Sequence, residues 1–125
     1  MNHGNEKQLL TFLCCTAKAA QQTPEVTINQ LNVLFAIQQQ GGNEVAPGRV
    51  CELLGMTSSS ISVHLRSLRD NKYLSFHAAV KGYRGSYRYS LTNLGRDVIK
   101  RFRLRLISLT NQAFKHEAHV SSQDD

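Results

Sequence analysis

A chain of 125 residues, 41% of them hydrophobic, is the size of one domain and can bury a single core without metal or disulfide staples. Fifteen Lys and Arg against nine Asp and Glu give a formal net charge of +6, which favours a polyanionic partner. Apolar runs are short and interrupted, so no segment is expected to span a bilayer, and the opening residues carry no basic-then-apolar export signal.

Residues Glu6 to Ala20 carry Leu9, Leu10, Phe12, Leu13, Cys14 and Ala17, a broad apolar surface at helical spacing. The run Gln21-Gln22-Thr23-Pro24-Glu25 breaks that pattern and reads as a linker, because proline disfavours helix at the residue before it. Thr27 then offers a cap to a second helix whose inward face would be Ile28, Leu31, Leu34, Phe35 and Ile37, ending at Gly41-Gly42. Val45 and Ala46 suggest a very short strand. Pro47 suits the first turn of a third helix with Val50, Leu53 and Leu54 on one face, and Gly55 suits its left-handed end.

The next helix, from Ser58 to Asn71 with Thr57 as its cap, is unusual. Ile61, Leu65 and Leu68 are spaced for burial, so Ser59, Ser60, Val63, His64 and Ser67 must point elsewhere. Serines compete for backbone hydrogen bonds and are poor helix formers, so stability alone does not select a cluster of them. Short side chains let a helix approach the floor of a DNA major groove, where hydroxyls meet base edges and phosphates. The bland alternative is a serine-rich helix start with a solvated face. Between Thr57 and Leu91 the bases are Arg66, Arg69, Lys72, Lys81, Arg84 and Arg88, and the single acid is Asp70.

Leu74-Ser75-Phe76-His77-Ala78 and Tyr87-Arg88-Tyr89-Ser90-Leu91 alternate as two half-buried strands would. Two glycines bracketing Tyr83 and Arg84 suggest a projecting hairpin tip with Lys81 and Arg84 at its end. Thr92 caps a last helix with Leu94, Val98, Phe102, Leu106 and Leu109 in one stripe, widened by Ile99, Leu104, Ile107 and Phe114. Arg96, Lys100, Arg101, Arg103 and Arg105 line its other side, a pattern also compatible with a membrane-surface helix. The first helix carries an equally wide apolar surface, which favours a homodimer built from the first and last helices of both chains. The tail from Glu117 to Asp125 has almost no apolar content and is expected to be disordered.

Helix, helix, turn, helix, two-stranded wing, helix is the order of a winged helix-turn-helix. The stretch Thr27 to Ala36, the run Val50-Cys51-Glu52-Leu53-Leu54-Gly55-Met56-Thr57-Ser58-Ser59-Ser60-Ile61-Ser62, and Leu68-Arg69-Asp70-Asn71-Lys72-Tyr73-Leu74 resemble the MarR family of transcriptional regulators. The Leu91-Thr92-Asn93-Leu94-Gly95 signature after the wing, shared with the related PadR family, adds to the resemblance. It implies a mainly α fold with a small β-wing, dimerising through N- and C-terminal helices. The organisation expected is a dimerisation helix and linker over 1–26, a DNA-binding domain over 27–91, a dimerisation helix over 92–116 and a tail over 117–125. Carried over, the resemblance places Ser58, Ser59, Ser60, Ser62, Val63 and His64, with Arg66 beside them, against bases and phosphates. Lys81 and Arg84 fall at the wing tip, Arg84 as the minor-groove arginine. The family's wing carries an acidic residue among its arginines, and this one reads Lys81-Gly82-Tyr83-Arg84-Gly85.

The function implied is a homodimeric regulator of transcription, cytoplasmic, bound to a palindromic site on double-stranded DNA, with no cofactor or metal. Three other functions compete with it. An enzyme lacks support, since no phosphate-binding glycine loop, paired metal-binding histidines or nucleophile elbow is present. A metal or redox sensor of the ArsR type would use Cys14, Cys15, Cys51, His116 or His119. Cys14 and Cys15 are adjacent and point about 100° apart on a helix, so the three thiols read better as small buried apolar side chains. A plasmid- or phage-type partition, replication or nucleoid protein would keep the same DNA-binding surface.

Overall fold

The computed structural model describes residues 3–78 and 87–123. The elements are α1 (His3–Gln21), α2 (Ile28–Gln39), α3 (Pro47–Leu54), α4 (Ser58–Asp70), β1 (Leu74–Ala78), β2 (Tyr87–Leu91) and α5 (Asn93–Gln123). The fold is mainly helical with one antiparallel hairpin. Two compact units divide the chain: Val26–Ile99, and Met1–Glu25 together with Lys100–Asp125.

In the first unit α2 starts in a reciprocal cap. The Gln30 amide N–H donates to Thr27 Oγ1 at 3.1 Å, and the Thr27 N–H donates to Gln30 Oε1 at 3.0 Å. Leu31, Val33, Leu34, Ala36 and Ile37 are buried. Two expected core residues differ: Ile28 is 58% exposed and Phe35 is half-buried, while Val33 and Ala36 take their place. The reason is that α2 packs against α3, α4 and β2, which cover several sides of its middle and leave its first turn open. Beyond α2, Gly41 and Gly42 take φ of 97° and 78°, and the Gly42 N–H closes back on the Ile37 carbonyl at 2.9 Å.

Val45 forms an isolated bridge to Tyr89 in place of a strand, exchanging hydrogen bonds of 2.8 and 2.9 Å. In the eight-residue α3, Val50 is 1% exposed, but Leu53 is 38% exposed and Leu54 half-buried, because so short a helix offers the core one turn. Gly55, at φ 64°, ends it in the left-handed conformation. The hairpin register pairs Leu74 with Leu91 and Phe76 with Tyr89, and the Leu74 and Leu91 pair sits in the core.

The Leu-Thr-x-x-Gly signature has a structural cause. Thr92 Oγ1 accepts from the Gly95 N–H at 3.1 Å and donates to the Lys72 carbonyl at 2.6 Å, so one hydroxyl caps α5 and ties it to the turn before β1. A Cβ on Gly95 would lie 2.3 Å from the Tyr73 carbonyl oxygen, so the backbones approach too closely for any side chain there.

In the second unit Thr23 is fully buried and donates to the Ala19 carbonyl at 2.9 Å. Arg105 donates to the Gln22 carbonyl and to Thr23 Oγ1, and Arg101 pairs with Glu25. These two arginines, read in the sequence as part of the basic side of the last helix, serve polar groups just past the end of α1. The Arg101 hydrogen bond is the main cause that holds the Glu25 carboxyl below its ordinary pKa. Of the thiols expected to be buried, Cys15 is, Cys14 is exposed and Cys51 is intermediate, since neighbouring helical positions face different ways. α5 continues to Gln123, past Glu117 where composition suggests disorder; the extension contains no Pro or Gly to stop a helix.

Candidate nucleic-acid interface

The site is built on α4. Thr57, in extended conformation, caps the helix by accepting from the Ser60 N–H at 3.3 Å. Its hydroxyl also lies 3.2 Å from Ser59 Oγ and 3.1 Å from Ser60 Oγ, so three hydroxyls share one network at the helix start. First-turn amides and the helix dipole make that end electropositive, and each hydroxyl both donates and accepts.

Anchorage comes from the opposite face, where Ile61, Leu65 and Leu68 are 0–1% exposed. Ser58, Ser59, Ser60, Ser62 and Arg66 are exposed, Val63 is 62% exposed and His64 is half-buried. These seven residues therefore share one outer surface over the first nine residues of the thirteen-residue α4. Lys81 and Arg84 lie outside the described residues.

Two contacts have no counterpart in the sequence pattern. Gln30 Nε2 donates to Ser67 Oγ at 2.9 Å, joining the α2 cap to α4 and turning Ser67 into a helix-to-helix tie. Arg69 pairs with Asp70 at 3.1 Å and stacks over Phe76, its guanidinium carbon 4.6 Å from the ring centre. Gln30–Ser67 and Arg69–Phe76 each join residues on different elements, which periodicity does not relate. A Gln at the third helical position and an Arg just before the turn into β1 give no local signal of them.

The electrostatic consequence is local. Asp70 neutralises Arg69, and no ion pair involving Arg66 or Lys72 occurs among the described residues. The outer surface of α4 is thus short, hydroxyl-rich and positive. Among the described residues no group of three or more His, Cys, Asp or Glu is placed to hold a metal ion.

Comparison with known proteins gives neither a matching family model nor a matching curated protein. Solved structures do match. A mutant of S. aureus MepR bound to an oligodeoxyribonucleotide superposes with a TM-score of 0.76 at 15% identity, covering 99% of this chain and 93% of that one. A MarR-family transcriptional regulator from Rhodococcus sp. RHA1 gives 0.65 at 18% identity, covering 91% and 79%. The chain folds like the MarR-family regulators. A putative transcriptional regulator from Pseudomonas aeruginosa PA01 adds a TM-score of 0.73 at 26% identity, covering 90% of this chain and 75% of that one. In the MarR-type fold α3 and α4 form the helix-turn-helix and β1 and β2 the stem of the wing. No helix among the described residues is long and apolar enough to cross a membrane.

Proposed function

We propose that the protein is a homodimeric transcriptional regulator, not an enzyme, that binds a palindromic site on double-stranded DNA. In this reading α4 enters the major groove and the β1–β2 hairpin meets the adjoining minor groove, with Lys81 and Arg84 at its tip. The observation that carries it is the two-sidedness of α4. Three residues fix one face in the core, while Ser58, Ser59, Ser60, Ser62 and Val63 leave the other short. A helix with so little side-chain length comes within hydrogen-bond reach of base edges, with His64 and Arg66 at its margins. The oligonucleotide bound to the MepR mutant, a protein of the same fold, supports DNA as the partner.

The exposed apolar faces of the terminal helices support homodimerisation. Leu9, Leu10, Phe12 and Leu13 of α1 and Leu104 and Ile107 of α5 are 43–55% exposed in the single chain. A second copy covering them would set two α4 helices about a two-fold, matching half-sites about 34–36 Å apart. Phosphate contacts would supply most of the affinity and make it fall with salt.

Selection of bound sequences from a random duplex pool tests the reading. An inverted repeat with half-sites one helical turn apart is expected. Tandem sites across a long stretch would indicate a partition or nucleoid role, and no enriched sequence would overturn specific recognition. Ser60→Glu places a carboxylate against phosphate and should weaken binding about 100-fold, as like charges across an interface cost several kcal/mol. Unchanged affinity would remove this face of α4 from the interface.

A further inference from the structure

Among the described residues the hairpin is anchored through its backbone over its inner half. The Leu91 N–H donates to the Gly42 carbonyl at 2.8 Å, Val45 bridges Tyr89, and Leu74 and Leu91 enter the core. Farther out, Phe76 and Tyr87 are 41% and 45% exposed. An isolated pair of strands is marginal in water, so the outer half of the stem needs another hold. Besides His77, whose Nε2 lies 3.1 Å from Glu44 Oε1, it has one in a continuous stack. The Arg69 guanidinium lies over Phe76 at 4.6 Å. Phe76 stacks on its cross-strand partner Tyr89 with centroids 5.9 Å apart and planes inclined by 22°. On the diagonal it meets Tyr87 at 5.7 Å. Asp70, 3.1 Å from Arg69, holds the same guanidinium by its charge.

We infer that Arg69 is a positioning residue: it clamps the aromatic face of the hairpin stem to α4, so that helix and wing meet the duplex as one rigid reader. The inference rests on the DNA-binding reading, and it removes Arg69 from the set of phosphate contacts that its place in a basic run suggests. Its charge is held by Asp70 and its plane by Phe76, and both attachments lie within the protein. A flat, delocalised cation suits this task, and lysine, a compact ammonium on a flexible stem, does not.

The test pairs two readouts on the full chain. In the free protein, Arg69→Ala and Arg69→Lys should both speed hydrogen exchange of amides in residues 74–78 and 87–91 by about three- to tenfold, with the buried amides of α2 unchanged. Phe76→Tyr, which keeps the ring, should retain wild-type exchange. On a duplex taken from the pool selection, both Arg69 variants should lose a similar affinity, about three- to tenfold, and the Arg69→Ala and Phe76→Ala losses should not add. A phosphate contact gives the opposite pattern: Arg69→Lys close to wild type, additive losses and unaltered exchange. That pattern overturns the clamp. If the wild-type chain binds no duplex, the functional reading fails, and the exchange comparison alone still decides whether Arg69 holds the stem.

Discussion

The unit Val26–Ile99 and the unit of the terminal helices contain leucine in similar proportion and differ in what they do with it. In the first, Leu34, Ile37, Ile61, Leu65, Leu68, Val33, Val50 and Val98 are all less than 2% exposed. In the second, Cys15, Ala19 and Phe102 are buried, while Leu9, Leu10, Phe12, Leu13, Leu104 and Ile107 face solvent in the single chain. One unit closes its own core. The other presents an apolar face of the kind that marks an interaction surface. Apolar residues recur at helical spacing in both, so a regular stripe says that a face will be covered without saying whether the same chain covers it.

The comparison is broken most directly by a pair of leucines. Leu65→Ala should cost about 2–5 kcal/mol, the range for emptying a packed leucine site, and the loss should not depend on protein concentration. Leu13→Glu should change the stability of a dilute single chain by less than about 0.5 kcal/mol, as exposed substitutions do. It should instead raise the dimer dissociation constant by more than about tenfold, since burying an unpaired carboxylate costs more than about 1.4 kcal/mol. Denaturant melts over a range of concentrations, with sedimentation analysis, read both. A concentration-dependent loss in Leu65→Ala, or an intact dimer in Leu13→Glu, would erase the distinction between the units.

Next in size is Gly95→Ala, which sharpens the account of the self-sufficient unit. The added Cβ would sit 2.3 Å from the Tyr73 carbonyl oxygen, which belongs to the backbone and cannot rotate away. Forcing the two apart is expected to cost about 1–3 kcal/mol, typical of overpacking. Gly48, where an added Cβ would meet nothing within 4 Å, is the control: Gly48→Ala should not destabilise by steric conflict. Thermal melts of the two variants decide it, and equal stability would show that the α5 start yields freely.

How far the chain is legible follows the same divide between local and long-range causes. The caps at Thr27, Thr57 and Thr92, the left-handed Gly55 and the burial of Ile61, Leu65 and Leu68 are set by residues a few positions apart, and spacing exposes them. Ile28 and Leu53 depart from the expected core because their burial depends on which neighbour reaches them. Arg69, Arg101 and Arg105 show in the sequence only as members of basic runs for the same reason. Their partners Phe76, Glu25 and Gln22 sit elsewhere in the chain, up to 83 positions away for Arg105 and Gln22. On the candidate interface, the outward placement of the serines follows from three buried neighbours at helical spacing, whereas Ser67 is claimed by Gln30 from α2. The roles assigned to the wing tip rest on the resemblance.

The smallest expected effect lies at the Glu25–Arg101 pair. Arg101 donates to the Glu25 carboxylate and is the largest cause of its depressed pKa, followed by the backbone hydrogen bond at Glu25; burial works in the opposite direction and loses. A carboxyl whose folded pKa lies below its unfolded value stabilises the fold at pH above the unfolded value. That contribution fades as the pH falls through the ordinary glutamate range and is gone below the depressed folded value. Glu25→Gln should therefore be less stable than wild type at about pH 7, by at most about 1 kcal/mol for a pair this open to solvent. The gap should narrow as the pH is lowered, because protonation removes from the wild type the charge the variant never had. Salt should narrow it too, through screening. Melts of both proteins from about pH 7 down to about pH 3 supply the measurement. A difference that stays constant, or widens in acid, would mean that Glu25 stabilises the end of α1 through its shape and neutral hydrogen bonds and not through its charge.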